Sequence, residues 1–264
     1  MEKELEIQLF IRNRTGWTPT EAGKIYLKNA KEILRLKNET YKQLQDIVIQ
    51  KKGTLCIGVP PERGTDLFIN IYPKFHKEFP KIKIKVLEIN VKQQQHLIKK
   101  GELDIGFMTL IPSQRTSDEY IKISSEKLIL ALHNSHSLCK TIKSNCNSFP
   151  ELDLSLLKND TFAILNKEST IFEVISSLLK KVNISPKILF ETTRSKAILE
   201  MVACNMCCGI IPSYFCKTFN ENISYFSLNP SINLDIVASY KKDSYLNKPA
   251  KFFIQLASDY FNNL

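Results

Sequence analysis

The sequence predicts an α/β protein with two lobes, and three observations support this prediction. After residue 53, short apolar runs alternate with amphipathic helical stretches, and the order strand, helix, strand, helix, strand occurs twice, over 55–107 and over 162–211. This order is typical of parallel strands joined by right-handed crossovers. A further strand at 127–132 leads out of the first unit, and another at 234–240 leads back. Two passes of chain should therefore connect two lobes around a cleft.

The elements of both lobes follow from periodicity and from residues that end helices. Pro80 stops the first helix and Gly101 closes the second. In chain order the first lobe has a strand at 55–59, a helix with its stripe from Leu67 to Phe79, a strand at 82–86, a helix at 92–100 and a strand at 103–107. The second has a strand at 162–165, a helix at 171–182, a strand at 188–190, a helix at 195–204 and a strand at 209–211. A closing helix is expected at 250–261.

A hairpin and a long helix are predicted ahead of the lobes. Residues 9–12 and 17–18 flank the turn-forming segment 13–16, which places Arg12 and Arg14 near a hairpin tip. The segment Thr18-Pro19-Thr20-Glu21 resembles a capping box with Thr18 as the N-cap, and an apolar stripe then runs to Val48, with the end expected near Gly53. So long a stripe favours a partner helix. The alternative is a surface helix that covers its own domain.

Composition excludes several classes of protein. The chain has 264 residues, 43% of them hydrophobic and 24% charged, as in ordinary globular proteins. Its net charge of +10 favours anionic partners, nucleic acid among them. Neither GxGxxG nor a P-loop is present, so nucleotide enzymes of those types are excluded. An odd number of cysteines, seven, fits reduced thiols in the cytoplasm, and no apolar stretch approaches a membrane span. No cofactor is predicted.

Several motifs in the correct order resemble LysR-type transcriptional regulators. These are Glu2-Lys3-Glu4-Leu5 with Gln8-Leu9-Phe10-Ile11-Arg12, Thr20-Glu21-Ala22-Gly23, Gly101-Glu102-Leu103-Asp104-Ile105-Gly106, and Cys208-Gly209-Ile210-Ile211-Pro212. The resemblance implies a DNA-binding wing remnant at 1–19, a dimerising linker helix at 20–52, and an effector domain at 53–264 like the type 2 periplasmic binding proteins. Lobe I would comprise 53–127 and 234–264, and lobe II 128–233. Promoter DNA, a small anionic effector and a homodimer or tetramer are the implied partners.

Two departures from the family pattern concern the N-terminal part. Family members begin about thirty residues earlier, so most of the DNA-reading helices have no counterpart, and weak DNA binding is expected of this chain. Glu6 stands where the family usually has the glycine that closes the recognition helix, and a left-handed cap is unfavourable for a residue with a side chain. Either that helix ends differently or its last turn is strained.

Candidate contacts for the effector follow from the resemblance and from helix N-termini, which attract anions. The predicted set is Arg63, Gly64 and Thr65 in the first loop, Met108 and Thr109 after the third strand, and Asn166, Thr170, Thr193 and Arg194 in the second lobe. Thr65 or Asp66 is expected to cap the first helix, which by itself would explain Thr65. The alternatives to ligand contact are that Met108 packs in the core and that Arg194 forms an ion pair with Glu191. Arg12 and Arg14 are the candidate contacts to DNA phosphates.

Neither a metal site nor a catalytic site is predicted. Cys204, Cys207 and Cys208 lack the second ligand pair of a structural zinc site and are interpreted as small apolar residues. The pair His133 and His136 has no carboxylate beside it in the sequence. No nucleophile has an identifiable base and orienting acid. The chain is therefore interpreted as a regulator, with a stand-alone ligand-binding or dimerisation module as the alternative and an enzyme on the same fold as a weaker one.

Overall fold

The computed structural model describes residues 1–13, 16–47, 53–141, 149–217 and 221–263. The N-terminal part has helix α1 (Glu2–Leu5), the hairpin strands β1 (Phe10–Asn13) and β2 (Gly16–Pro19), and the long helix α2 (Glu21–Ile47). Register pairs Asn13 with Gly16, so each strand extends one residue further towards the tip than the sequence predicts. Arg12 is exposed beside the Trp17 ring. Arg14 and the predicted helix end at 48–52 lie outside the described residues.

The N-terminal caps differ from the sequence prediction. Thr18 lies in β2, and the N-cap of α2 is Thr20, whose hydroxyl accepts from the Gly23 N–H at 3.0 Å and donates to the Gln8 carbonyl at 2.7 Å. The prediction of Thr18 as N-cap is wrong because Pro19 ends a strand here. Glu6 caps α1 in the left-handed region, with φ 50° and ψ 27°. Of the two alternatives, the structure therefore has the strained one, a left-handed cap at a residue with a side chain.

Lobe I and lobe II have the alternating order that the sequence predicts. The elements of lobe I are β3 (Gly53–Val59), α3 (Arg63–Glu78), β4 (Ile82–Glu88), α4 (Val91–Lys100) and β5 (Ile105–Leu110). They are followed by β6 (Glu119–His133), α5 (Ser137–Thr141), β7 (Glu151–Asp153), β8 (Thr161–Leu165), α6 (Thr170–Lys181), β9 (Lys187–Thr192), α7 (Ser195–Ala203), β10 (Cys208–Pro212), β11 (Ile223–Asn229), β12 (Asn233–Tyr240) and α8 (Lys248–Asn262). The strands β4, β3 and β5 are parallel, as are β9, β8 and β10.

One long strand, β6, belongs to both lobes. Its first part, Glu119–Lys127, pairs antiparallel with the returning strand β12, which also pairs with β5. Its last residues, from Leu128 onwards, pair with β10 and β11 in lobe II. The strand begins eight residues before the predicted 127–132 because its early residues alternate with exposed polar side chains and form no apolar run. The chain therefore crosses between the lobes along β6 and returns before β12.

Each lobe has its own apolar core, and α2 contacts lobe I. Phe75, Phe107 and Phe253 fill the layer between the first sheet and helices α3 and α8, whereas Phe162, Ile175 and Phe226 pack in lobe II. Lys241 places its ammonium 3.4 Å from the Glu32 carboxylate of α2. The apolar stripe of α2 is open to solvent, with Ile33 68% exposed and Leu44 51%. In the part of the chain that the structure describes, every helix is too short or too polar to cross a bilayer.

Candidate ligand-binding cleft

A cavity of about 100 Å³ lies between the lobes, where the carboxyl ends of their parallel strands face each other. Lobe I contributes residues 60–63 and Thr109, and lobe II contributes Asn166, Thr170, Thr193 and Ser195. Apolar side chains form much of the wall; these are Pro60, Pro61, Val91, Leu165, Ile171, Pro212 and Phe215. The cleft thus combines apolar surface with a few hydroxyl and amide groups, as small-molecule sites commonly do.

Arg63 lies in the wall of the cleft, but its charge is already neutralised. Helix α3 begins at Arg63, four residues before the predicted stripe. The guanidinium is buried against Glu126 of β6, and its Nη2 donates to Glu126 Oε2 at 2.8 Å. The guanidinium also donates to the Thr109 hydroxyl at 2.7 Å and lies 4.5 Å from the centre of the Tyr214 ring. Arg63 therefore positions Thr109 and joins α3, β5 and β6 where the lobes meet.

The other predicted residues of lobe I have different surroundings. Thr65 is exposed in the first turn of α3 and donates to the Glu88 carboxylate at 3.1 Å. The expectation that Thr65 or Asp66 caps α3 is wrong, because the N-cap is Glu62. Gly64 is buried so close to β3 that a Cβ would come within 2.3 Å of Val59 Cβ, hence a side chain has no room. Met108 is 1% exposed and belongs to the lobe I core.

In lobe II, three of the four predicted residues line the cavity. Asn166, Thr170 and Thr193 do so, and the Thr170 hydroxyl donates across the cleft to the Thr109 carbonyl at 3.2 Å. Ser169 caps α6 by accepting from the Ile171 N–H. Arg194 is exposed at the N-cap of α7 and is not among the lining residues. Within the described residues it makes no ion pair with Glu191, which removes that explanation for Arg194.

Glu62 is one of the cleft residues that are absent from the predicted set. Its carboxylate crosses from lobe I to the N terminus of α7 and accepts from the Ser195 N–H at 2.7 Å and the Lys196 N–H at 3.2 Å. Burial raises its pKa, and these two hydrogen bonds together with the nearby Lys196 and Arg194 charges counteract that effect. Its backbone has φ 63°, in the left-handed region that residues with a side chain seldom adopt. The charge pattern at the first loop gave no hint, because the partner amides come from the other lobe.

A second group of polar residues lies at the opposite end of lobe II. His136 Nε2 is 3.2 Å from Asp160 Oδ1, so the fold supplies the carboxylate that the sequence lacked beside the histidine pair. Together with Cys208 these residues bring three possible ligand atoms within 4.8 Å of one another. Cys208 is buried, which raises the pKa of its thiol to about 12 and disfavours the thiolate that binds metals. No disulfide joins the six cysteines that the structure describes.

Comparisons with known proteins agree with the two-lobe architecture. Residues 49–262 match the LysR substrate binding domain family. The chain is 28% identical to the uncharacterized HTH-type transcriptional regulator YwbI of Bacillus subtilis (strain 168), over 98% of this chain and 84% of YwbI. It is 24% identical to AlsR, an HTH-type transcriptional regulator of the same organism, over 98% of this chain and 83% of AlsR.

Solved structures share the fold at low sequence identity. A cysteine mutant of Corynebacterium glutamicum OxyR has a TM-score of 0.67 and 18% identity, covering 99% of this chain and 80% of that one. The effector binding domain of QuiR in complex with shikimate has a TM-score of 0.63 and 19% identity, covering 80% and 98%. The BenM effector binding domain with benzoate has a TM-score of 0.63 and 18% identity, covering 80% and 93%.

The fold and its interlobe cleft define an effector-binding domain of the two-lobe, periplasmic-binding-protein-like class. Since the family match spans most of the chain, this protein belongs to the LysR family. The relatives named above are transcriptional regulators, which confirms the expectation of a regulator instead of an enzyme.

The buried ion pair gives a test of the lobe junction. Glu126→Gln leaves the Arg63 guanidinium buried without its counter-charge, and we expect the free energy of unfolding to fall by about 3 to 5 kcal/mol. The double variant Arg63→Met, Glu126→Leu removes both charges and should recover most of that loss. Urea denaturation measures both effects. A single variant as stable as the original chain would show that the pair does not hold the junction.

The raised pKa of Glu62 gives a test by pH. Because the folded state favours the protonated form, the part of the stability that depends on protonation of Glu62 is fully present below the ordinary pKa of 4.5 and is lost as pH rises through the higher folded value, whereas the hydrogen bonds from the Ser195 and Lys196 N–H groups to the carboxylate remain. The free energy of unfolding of the original chain relative to Glu62→Gln should therefore decrease between about pH 4 and pH 7. Urea denaturation across this range measures the difference. For Asn166→Ala, which removes no titratable group, the same difference should stay constant.

Proposed function

We propose that this protein is a DNA-binding transcriptional regulator whose interlobe cleft binds a small anionic metabolite. The observation that carries the proposal is the cleft itself, in which hydroxyl and amide groups from both lobes converge where α/β proteins bind ligands. Two neighbours of the same fold are described with shikimate and benzoate, which are both carboxylates. Their ligands support an organic acid as the class of effector for this chain.

Thr109, Asn166, Thr170 and Thr193 are the ligand contacts we propose, because these predicted residues line the cavity. Arg63 acts through Thr109, whose hydroxyl it holds. Thr65, Gly64, Met108 and Arg194 are outside the lining set, and we assign them no direct contact. Thr170 already bridges the lobes through the Thr109 carbonyl, so a ligand held by both residues would favour the closed arrangement.

The mechanism we propose is a shift between lobe arrangements. Lys92 of lobe I lies 2.5 Å from the Glu173 carboxylate of lobe II, and the Gln114 amide donates to the Thr170 carbonyl at 2.8 Å. These contacts form only when the lobes are together. A ligand changes the populations of two arrangements only by its difference in affinity for them. An effector that spans Thr109 and Asn166 has this difference because these residues belong to opposite lobes.

The N-terminal elements supply the proposed link to DNA and to a second copy. Arg12 on the β1–β2 hairpin is exposed and suited to a phosphate contact, for which guanidinium groups provide hydrogen bonds and charge. The apolar stripe of α2 is uncovered in the single chain, and pairing with a second α2 would bury it. Such a regulator would act in the cytoplasm on promoter DNA.

A thermal-shift screen of organic acids tests the ligand proposal. We expect at least one acid to raise the melting temperature in proportion to the logarithm of its concentration. Thr193→Val, which keeps the shape and removes a hydroxyl, should weaken binding by about 1 to 2 kcal/mol if that hydroxyl contacts the ligand. Thr65→Val is the matched control outside the cleft and should leave the affinity unchanged. Equal loss in both variants would place the ligand elsewhere.

Self-association through α2 is tested by adding charge to the exposed stripe. Ile33→Lys with Leu44→Lys should convert a dimer to a monomer, because burying two ammonium groups in a helix pair is unfavourable. Analytical ultracentrifugation measures the mass. Asn38→Lys adds the same kind of charge at an exposed position on another face of α2 and should leave the dimer intact. If the stripe variant keeps the mass of the original chain, α2 does not form the interface.

A further inference from the structure

The most unusual feature of the cleft is a carboxylate of the protein at a place suited to a ligand's carboxylate. Helix α7 has nine residues, and the N–H groups of its first turn have no partner within the helix. Two of them, on Ser195 and Lys196, donate to Glu62 from the other lobe. The N-cap residue, Arg194, gives no side-chain hydrogen bond to the helix, so Glu62 performs the capping that usually comes from the same segment.

The position of Glu62 is maintained by its surroundings. Its φ of 63° is one that a residue with a side chain seldom adopts, and the next residue, Arg63, is fixed by the buried pair with Glu126. Beside it, Lys196 also reaches Asp66 of α3 with its ammonium at 3.3 Å. Thus two neighbouring contacts join the start of α3 to the start of α7.

We propose that Glu62 is an internal ligand of the cleft, whose carboxylate fills the N terminus of α7 and competes with the anionic group of an effector for that position. The inference rests on the proposed function only in naming an effector as the competitor. While Glu62 is in place, the two lobes are held together on the α7 side without any bound molecule. An anionic effector reaches the Ser195 and Lys196 N–H groups only when Glu62 leaves them, so Glu62 lowers the affinity for anions and selects against weak ones.

The other carboxylate of the cavity provides a matched comparison. Glu168 also lines the cavity, but its partner is the Asn90 side-chain amide at 3.5 Å and not a helix N terminus. Truncation of Glu168 therefore leaves no set of converging N–H groups. The two glutamates have the same chemistry in the same cleft and differ in the partners that they meet.

Chemical rescue tests the proposal. Glu62→Ala removes the equivalent of acetate, and sodium acetate should restore stability to this variant in a saturable manner, against sodium chloride of equal ionic strength. At ten times its dissociation constant, acetate should raise the melting temperature by about 3 to 6 °C. The original chain and Glu168→Ala should show no such increase. Glu62→Gly removes the equivalent of propionate, and glycine adopts a φ of 63° without strain. Sodium propionate should therefore restore stability to this variant in the same saturable manner, and Glu62→Gly replaces Glu62→Ala in the test if the alanine variant does not fold.

Ser195→Pro identifies the rescue site. Proline is compatible with the first position of a helix and removes the N–H that meets Glu62, so its addition to Glu62→Ala should abolish most of the rescue. Rescue that is absent in both Glu62 variants, or equal in all chains, overturns the proposal. The result does not depend on an effector, since a rescued variant would establish the internal ligand even if no organic acid bound the original chain. Conversely, an effector whose affinity is the same with and without Glu62 would show that the two do not compete.

Discussion

The buried pair of Arg63 and Glu126 is the interaction on which the two-lobe arrangement depends. Arg63 begins α3 of lobe I, and Glu126 lies on β6 just before that strand changes its partners from lobe I to lobe II. The same carboxylate accepts a hydrogen bond from the backbone N–H of Tyr214 at 3.2 Å, and Tyr214 follows β10 of lobe II. Two opposite charges that are withdrawn from water need full hydrogen bonding, and this requirement fixes how the segments meet.

The cleft follows from that junction. Arg63 holds the Thr109 hydroxyl, while the Thr109 carbonyl accepts from Thr170 of lobe II. Directly before Arg63, the chain places Glu62 at the N terminus of α7. One segment of lobe I therefore contributes a structural cation and a cleft anion in consecutive positions. The cation pairs with Glu126 at the junction between the lobes, and the anion meets the N terminus of α7 in lobe II.

The parts of the fold that depend on local patterns are predictable from the sequence. Alternation and helical periodicity predict most elements of both lobes, and Gly101 ends α4 as predicted; the structure shows that it does so in the left-handed conformation. Errors arose where two local interpretations were possible. At Thr18 and Thr20, both residues have a capping hydroxyl, and only the pairing of Pro19 with Phe10 excludes the first. The start of β6 was missed because its exposed polar residues give no apolar run.

The candidate site depends on the sequence for its position and on tertiary structure for its members. The sequence by itself determined the family, the parallel strands and the loops at their carboxyl ends, because apolar spacing and short motifs are local properties of the chain. It could not show that Arg63 is neutralised or that Thr65 lies outside the cleft, since Glu126 and Glu88 are far away in the chain. Tertiary structure alone decided that Glu62 meets Ser195, 133 residues later. The physical reason is that an anion is stabilised by the N–H groups that the fold brings close to it. The energy of these hydrogen bonds depends on distance and direction in space and not on the separation of the residues in the sequence.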